Sequence, residues 1–308
     1  MIGFLKKKVR RLRHWLQGRG TYMIPATLHQ YPPQPIRLTS SRRRRIWPKS
    51  PPCIALVTPS YNQAAFLEET IQSILGQDYP RLRYAITDGG STDGSAEIIR
   101  RHQNRLDYWH SRPDAGQADA IIAGFQKIDG EIMGWLNADD LLSPDSLQIV
   151  SHYFMRHPEI DVLYGDRILI NRDGDEIGRW ILPAHDPADL PIVDVIPQET
   201  CFWRSSVWHK VGGVDRSFQF ALDWDLLLRF RTAGAKFQHI PEFLGCFRVH
   251  DQQKTSAIMD TVGEEESTRL HDRELGRKPL REEIDRTVRN IRRRAIWRAQ
   301  LYRLGLRA

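Results

Sequence analysis

The chain has 308 residues, 41% of them hydrophobic, and a formal net charge of +7, which is enough apolar material for one large domain and excludes a disordered composition. No stretch approaches the roughly 20 apolar residues that cross a bilayer, and the opening MIGFLKKKVRRLRHWL lacks the apolar centre and cleavage site of a signal peptide, so a cytoplasmic protein is expected. Cys53, Cys201 and Cys246 are far apart and form no C-x-x-C pair, which excludes a zinc or redox motif and leaves buried, reduced thiols.

The charge is unevenly spread. Residues 1–50 hold 13 Lys or Arg and no acid, residues 286–308 hold eight Arg and no acid, and the stretch 51–285 between them carries a net −14. An acidic middle does not suit a nucleic-acid groove, so no specific nucleic acid is expected as partner. Basic ends that also contain Trp15, Trp47, Trp297 and Tyr302 suit an anionic membrane surface.

In chain order, Ile2, Leu5, Val9, Leu12 and Leu16 recur at helical spacing with Lys and Arg between them, which predicts a basic amphipathic helix over 1–20. Residues 21–52, with Pro32-Pro33, the arginines 42–45 and Pro51-Pro52, read as a linker. CIALVTP at 53–59 reads as a buried parallel strand and 66–76 as a helix ending on Gly76. A second strand at 84–87 breaks into DGGSTDGS, and a helix resumes over Ser95 to His102. A helix over 116–127 and a strand over 131–136 then lead into Asn137-Ala138-Asp139-Asp140. Strands alternating with helices predict an α/β fold with a doubly wound, mostly parallel sheet whose ligand lies beyond the carboxyl ends of the strands. The clusters Ser60-Tyr61-Asn62, Asp88-Gly89-Gly90 and Asn137 to Asp140 all follow predicted strands and are expected to line one site. The expected division is a basic helix and linker over 1–50, a catalytic domain over 51–260 split at 142/143, and a basic helical extension over 261–308.

Carboxylates at a strand end suit a site for a nucleoside diphosphate only with a hard divalent cation between the two sets of charge. A helix N-cap explains Asp139 and Asp140 equally well on their own. The segments VTPSYNQAAFLEETIQSILGQDYP, TDGGSTDGS, PDAGQADAIIAGF and GWLNADDLLSP together resemble the nucleotide-binding half of a family 2 glycosyltransferase with a GT-A fold, and the resemblance runs from about Cys53 to about Thr255.

The resemblance implies an inverting, metal-dependent enzyme that moves a sugar from a UDP-, GDP- or dTDP-sugar to a hydroxyl of a glycan or lipid-linked acceptor. It implies that Thr58, Pro59 and Tyr61 form the loop against base and ribose, that Asp88 reads the base, and that Asp114, Gly116, Gln117 and Asp119 line a donor loop. The usual second acid after Asp88 is replaced by Gly89, and Asp93 reads as a turn and cap residue. The D-x-D metal motif stands as Asn137-Ala138-Asp139, so Asp139 carries most of the binding of Mn2+ or Mg2+, with His250 as the second protein ligand in the segment Phe247 to His250 followed by Lys254. Arg248 is implied to offset diphosphate charge, and Gln198 to bond the sugar or diphosphate.

ALDWDLLLR at 221–229 resembles the family helix that carries the base, which aligns with Asp223; Leu222 replaces the preceding acid and leaves Asp225 as a rival. Trp203 is expected to pack, and Trp224 to combine packing with sugar stacking. Cell-envelope polysaccharide or lipopolysaccharide assembly is the business the resemblance implies, at the inner face of the membrane, with the helix near 284–304 docking through Ile284, Val288, Ile291, Ala295 and Tyr302. Two rivals stand beside it. A metal-dependent nucleotidyltransferase wants a basic phosphate loop, which Pro59 to Gln63 is not; a catalytically weakened adaptor binding membrane or nucleic acid does not need Asp88, Asp139, Asp223 and His250.

Overall fold

Strand β2 (Ile54–Ser60) is an apolar run with all seven residues buried, the pattern of a strand covered on both faces. Parallel neighbours flank it, β3 (Leu82–Asp88) on one side and β5 (Ile132–Trp135) on the other, and β4 (Tyr108–Ser111) continues the parallel array from β3. In this computed structural model, which describes residues 27–38, 47, 49–251, 253 and 259–303, alternate side chains of β2 feed two cores. Ile54 and Leu56 meet Leu67 and Ile71 of helix α1 (Ala64–Leu75), whereas Ala55 and Val57 meet Ala118 and Ile121 of helix α3 (Gln117–Phe125). Helix α2 (Ser95–His102) lies between them in sequence. The double winding thus follows from the strand's period of two.

Helix α3 approaches β2 closely because Gly124 has no side chain: a Cβ there would sit 2.5 Å from Val57 Cγ1. Gly124→Ala is therefore expected to lower the unfolding free energy by about 1–3 kcal/mol through overpacking, read as a lower midpoint with an unchanged slope in urea titration. An unchanged midpoint would show that α3 shifts freely.

The second half adds β6 (Leu141–Leu142), helix α4 (Ser146–Arg156), β7 (Val162–Ile170), β8 (Glu176–Ile181), β9 (Phe202–Arg204), helices α5 (Ser205–Val211) and α6 (Leu222–Thr232), and β10 (Phe237–Arg248). Among the described residues the strand order is β1-β8-β7-β9-β5-β2-β3-β4 in one sheet, with β10 beside β7 and β6. Parallel pairing is confined to the β5-β2-β3-β4 block and to β7 with β10; β9 joins the halves antiparallel to both β5 and β7. The α/β class is as expected, with a mixed second half.

Two expectations at the ends are corrected. Residues 21–52 are not simply a linker: β1 (Thr27–Gln34) adds to the sheet edge antiparallel to β8. Pro32 and Pro33 are tolerated because an edge strand has one row of unpaired groups, and the register shifts between Gln30 and Gln34 around them. Pro51 and Pro52 are buried, and their carbonyls accept from Arg81 (2.8 Å) and Tyr79 (2.7 Å). At the other end, helix α7 (Glu264–Leu275) precedes helix α8 (Arg281–Arg303). The apolar stripe of α8 faces the protein: Ile284, Ile291, Ala295 and Ala299 are buried, and Val288 packs against the main core. Arg294 pairs with Asp186 (2.7 Å) and Asp189, and Arg298 reaches the Leu182 carbonyl. That stripe is spent on the fold and does not dock elsewhere. The amphipathic helix expected over 1–20 and Lys254 lie outside the described residues.

Candidate active site

Pairing register brings the strand ends together, with Ser60 opposite Asp88 and Asp88 opposite Ser111. β5 keeps step for one further bond, Leu136 N–H to Val57 carbonyl (2.9 Å), and the chain then turns through Asn137 to Asp140. The three polar clusters therefore share one edge, as their positions after strands predict. β6 pairs with Gly245 and Cys246, which carries the end of β10 to the same turn.

The loop after β2 differs from the expectation. Thr58 is fully buried with its hydroxyl bonded to Tyr84 (2.9 Å), and Pro59 is buried in the strand, so neither faces a ligand; Tyr61 is 63% exposed at the rim. Asp88 is also fully buried. Its carboxylate accepts from the Ser91 amide (2.9 Å), the Gly90 amide (3.2 Å) and the Ser111 hydroxyl (2.6 Å) at Oδ2 and from the Ser91 hydroxyl at Oδ1, so it organises the turn. Asp93 caps as expected, accepting from the Ala64 amide (2.8 Å) at the start of α1 and the Ser95 amide (3.0 Å) at the start of α2. Those bonds hold its carboxyl below the ordinary range against the opposing effect of burial, which is the first of the influences on it.

Exposed Asp114 accepts from the Gly116 amide (2.8 Å) and stands over Gly89, where a Cβ would lie 3.1 Å from its Oδ1. The carboxylate missing from position 89 is thus replaced in space by one from the facing loop, and an acid at 89 would meet it. Gln117, the first residue of α3, donates to Asn137 Oδ1 (2.8 Å), joining the start of α3 to the Asn137 turn. Asp119 pairs with Arg216 from the loop after α5 and accepts weakly from the Ala115 amide (3.3 Å), so it ties two loops together.

At the turn, His250 Nε2 lies 3.0 Å from Asp139 Oδ2, and the His250 ring packs on Phe66 at 4.6 Å between centroids. A carboxylate oxygen and an imidazole nitrogen this close are a donor set that suits Mg2+ or Mn2+, so Asp139 and His250 are the residues that would hold such a cation. Among the described residues no group of three or more His, Cys, Asp or Glu is placed to hold a metal. Ala138 is buried in the core and contributes its carbonyl to Thr70 (2.9 Å), not a side chain to a donor. Asp140 is buried too; burial first, then the charges of Asp139 and Glu199, push its carboxyl well above the usual range, while it accepts from the Arg248 amide (2.9 Å).

Arg248 is corrected as a diphosphate ligand. It has no exposed surface, and its guanidinium is committed to Glu69 (2.6 Å) and to the carbonyls of Asp139 (2.8 Å) and Arg172 (3.0 Å), over the Phe66 ring. It holds the backbone of Asp139 in place. Deeper still, Arg167 and Glu199 form a two-pronged buried ion pair (2.6 and 2.5 Å), which supports the strand ends from below.

At the start of α6, Asp223 and Asp225 separate clearly. Asp225 is fully buried and paired with Arg229 (2.9 and 2.7 Å) and Arg273, so it fastens α6 to α7. Asp223 is half-buried at the start of α6, with Oδ1 accepting from the Trp224 amide (2.9 Å). Its charge, after burial, helps push the carboxyl of Asp194 well above the usual range and the Cys201 thiol up, so all three share one neighbourhood. Asp194 Oδ1 is buried with no hydrogen-bond partner among the described residues. Sequence reasoning passed over Asp194, although a lone acid inside LPIVDVI was a visible signal. Gln198 is buried and its amide donates to the Trp135 carbonyl (2.8 Å), so the nitrogen is spent on β5 and not on a substrate. Trp203 packs as expected, at 5.4 Å from Trp135. Trp224 packs as well, 2% exposed with its indole donating to the Leu190 carbonyl (2.8 Å), which removes the sugar-stacking role.

A parallel first half joined to a mixed second half, with Asp139 and His250 meeting at the seam, defines a GT-A domain. The family model described as "Glycosyl transferase family 2" matches residues 55–249, and the chain belongs to that family. Among curated relatives it is 29% identical over 249 residues to the O-antigen biosynthesis protein RfbC of Myxococcus xanthus, covering 78% of this chain and 20% of that one. It is 24% identical to the chondroitin synthase of Pasteurella multocida, covering 68% and 22%. The chain thus spans about a fifth of the length of both. An uncharacterised glycosyltransferase of Rickettsia typhi is 26% identical, with 70% of each chain covered. Of solved structures, S. aureus TarS residues 1–349 in complex with UDP-GlcNAc superposes with a TM-score of 0.59 at 16% identity, covering 79% of this chain and 72% of that one. The mannosyltransferase PcManGT of Pyrobaculum calidifontis with GDP-Man and Mn2+ gives 0.52 at 19% identity, covering 82% and 66%. Both likenesses are likenesses of fold.

Proposed function

We propose that the protein transfers a sugar from a nucleoside-diphosphate sugar to a hydroxyl of a glycan or lipid-linked acceptor, with inversion, at the edge bounded by Asp139, His250 and Asp223. The observation that carries this reading is the 3.0 Å approach of His250 Nε2 to Asp139 Oδ2 at the carboxyl ends of the parallel strands. Asp139 and His250 would hold a divalent cation there, which would supply positive charge to a diphosphate leaving group. The complexes named for TarS and PcManGT, with UDP-GlcNAc and with GDP-Man and Mn2+, support a donor of this class, and RfbC and chondroitin synthase support a glycan product.

Asp223 receives the proton of the acceptor hydroxyl as that oxygen bonds to the anomeric carbon; the bond from that carbon to the diphosphate oxygen breaks, and the nucleoside diphosphate leaves with the electron pair. Arg248 positions Asp139 through its carbonyl, and Gln117 holds Asn137. The protein works at the inner face of a cell membrane, where a lipid-linked acceptor is presented; among the described residues no helix is long and apolar enough to cross a membrane.

The test is a panel of UDP-, GDP- and dTDP-sugars incubated with the protein and Mn2+, with released nucleoside diphosphate measured. Release from at least one sugar is expected; release from none, alongside nucleotidyl transfer from a nucleoside triphosphate, would replace the reading with a nucleotidyltransferase.

A further inference from the structure

Helix α8 has a second face that no residue among those described covers. Arg286, Arg289, Arg293, Ile296 and Trp297 follow one another at spacings of three and four with one adjacent pair, so they share a side of the helix. All five are exposed. Trp297 is 72% exposed, the highest value among the exposed large hydrophobics of the described residues, and Ile296 beside it is 44% exposed. The acids Glu282, Glu283 and Asp285 belong to the first turns, where the helix dipole favours them, and beyond Arg286 the helix carries no acid.

We infer that this outward face of α8 docks the protein on an anionic lipid surface, with the arginines at the headgroups and Trp297 and Ile296 at the acyl boundary. The assignment deepens the proposed use of a membrane-presented acceptor and rests on that reading for its purpose. It reverses the polarity read from sequence, since the regular apolar stripe is buried and the basic face with its tryptophan is the one left open. An aromatic ring and an aliphatic chain set among cations is the composition of an interfacial helix. Position adds a second argument. Thr27, the first described residue, pairs opposite Ile181 of β8, and the next residue, Leu182, takes Arg298 of α8 through its carbonyl. Thr27, to which the basic sequence 1–26 with its seven Lys or Arg and no acid is joined, therefore lies next to the last turns of α8. The inward arginines, Arg294 and Arg298, fix how the face is presented through Asp186, Asp189 and His239.

The experiment is co-sedimentation of the full chain with vesicles of phosphatidylcholine alone and of phosphatidylcholine mixed with phosphatidylglycerol, alongside donor hydrolysis in free solution. Wild type is expected to sediment with the anionic vesicles and not the neutral ones. Arg289→Gln/Arg293→Gln is expected to weaken partitioning about 30-fold, the effect of two cations at a charged surface, and Trp297→Ser alone to weaken it several-fold. Both variants should keep the wild-type melting temperature and donor hydrolysis, because the altered side chains touch neither core nor site. Wild-type partitioning in both variants, equal binding to neutral vesicles, or binding to duplex DNA in place of vesicles would each overturn the inference. Vesicle binding without donor hydrolysis by wild type would leave the surface standing and defeat the proposed activity.

Discussion

Asp139→Ala is expected to lower donor turnover by about a thousandfold or more, about 4 kcal/mol of lost transition-state stabilisation, with little change in thermal stability. The side chain is half-buried and its recorded bond is to His250 Nε2, so removing it leaves one protein ligand where two converge. The surrounding backbone does not depend on the carboxylate: Arg248 holds the Asp139 carbonyl (2.8 Å), and Thr70 holds the carbonyls of Ala138 and Asp140 (2.9 and 2.8 Å). Loss of turnover with an intact melting curve is therefore the expected signature, and metal titration should show the affinity falling with it. Full activity in this variant would remove Asp139 from the mechanism.

Asp223→Asn is expected to leave nucleoside-diphosphate binding within about twofold of wild type while lowering transfer by about a hundredfold to ten-thousandfold, the range for losing a positioned base. Asparagine keeps the size of the side chain and an oxygen for the Trp224 amide, so the start of α6 stays formed. Asp225→Asn separates the rivals. Asp225 is fully buried between Arg229 and Arg273, so its neutralisation should lower the melting temperature and change transfer far less than Asp223→Asn does. The reverse result, chemistry lost at 225 and kept at 223, would move the base by two positions.

The sheet's parallel block was legible because its strands are continuous apolar runs stopped by turn residues, and α2 begins and ends where the sequence places it. The meeting of Asp139 and His250 was legible only through the order of motifs, since 111 residues separate them. The misread site residues share one cause: partners distant in sequence. Arg248 reads as a free cation for phosphate until Glu69, 179 positions away, is seen to take it. Asp88 reads as a ligand-facing acid until Ser111 and the Ser91 turn close around it. Thr58 reads as a loop hydroxyl until Tyr84, 26 positions away, is seen to take it inside β2. In α8 the spacing gave the apolar stripe correctly, but periodicity does not say whether protein or solvent lies against it. β1 was hidden by its prolines, which argue against a central strand and are silent about an edge.

The central claim is that Asp139 and His250 hold a divalent cation against a nucleoside diphosphate, and calorimetric titration of UDP, GDP and dTDP into the protein with Mn2+ and then with excess EDTA tests it most directly. The account predicts binding of at least one of the three with Mn2+, lost with EDTA and lost in Asp139→Ala; binding of equal strength with and without the metal would contradict it.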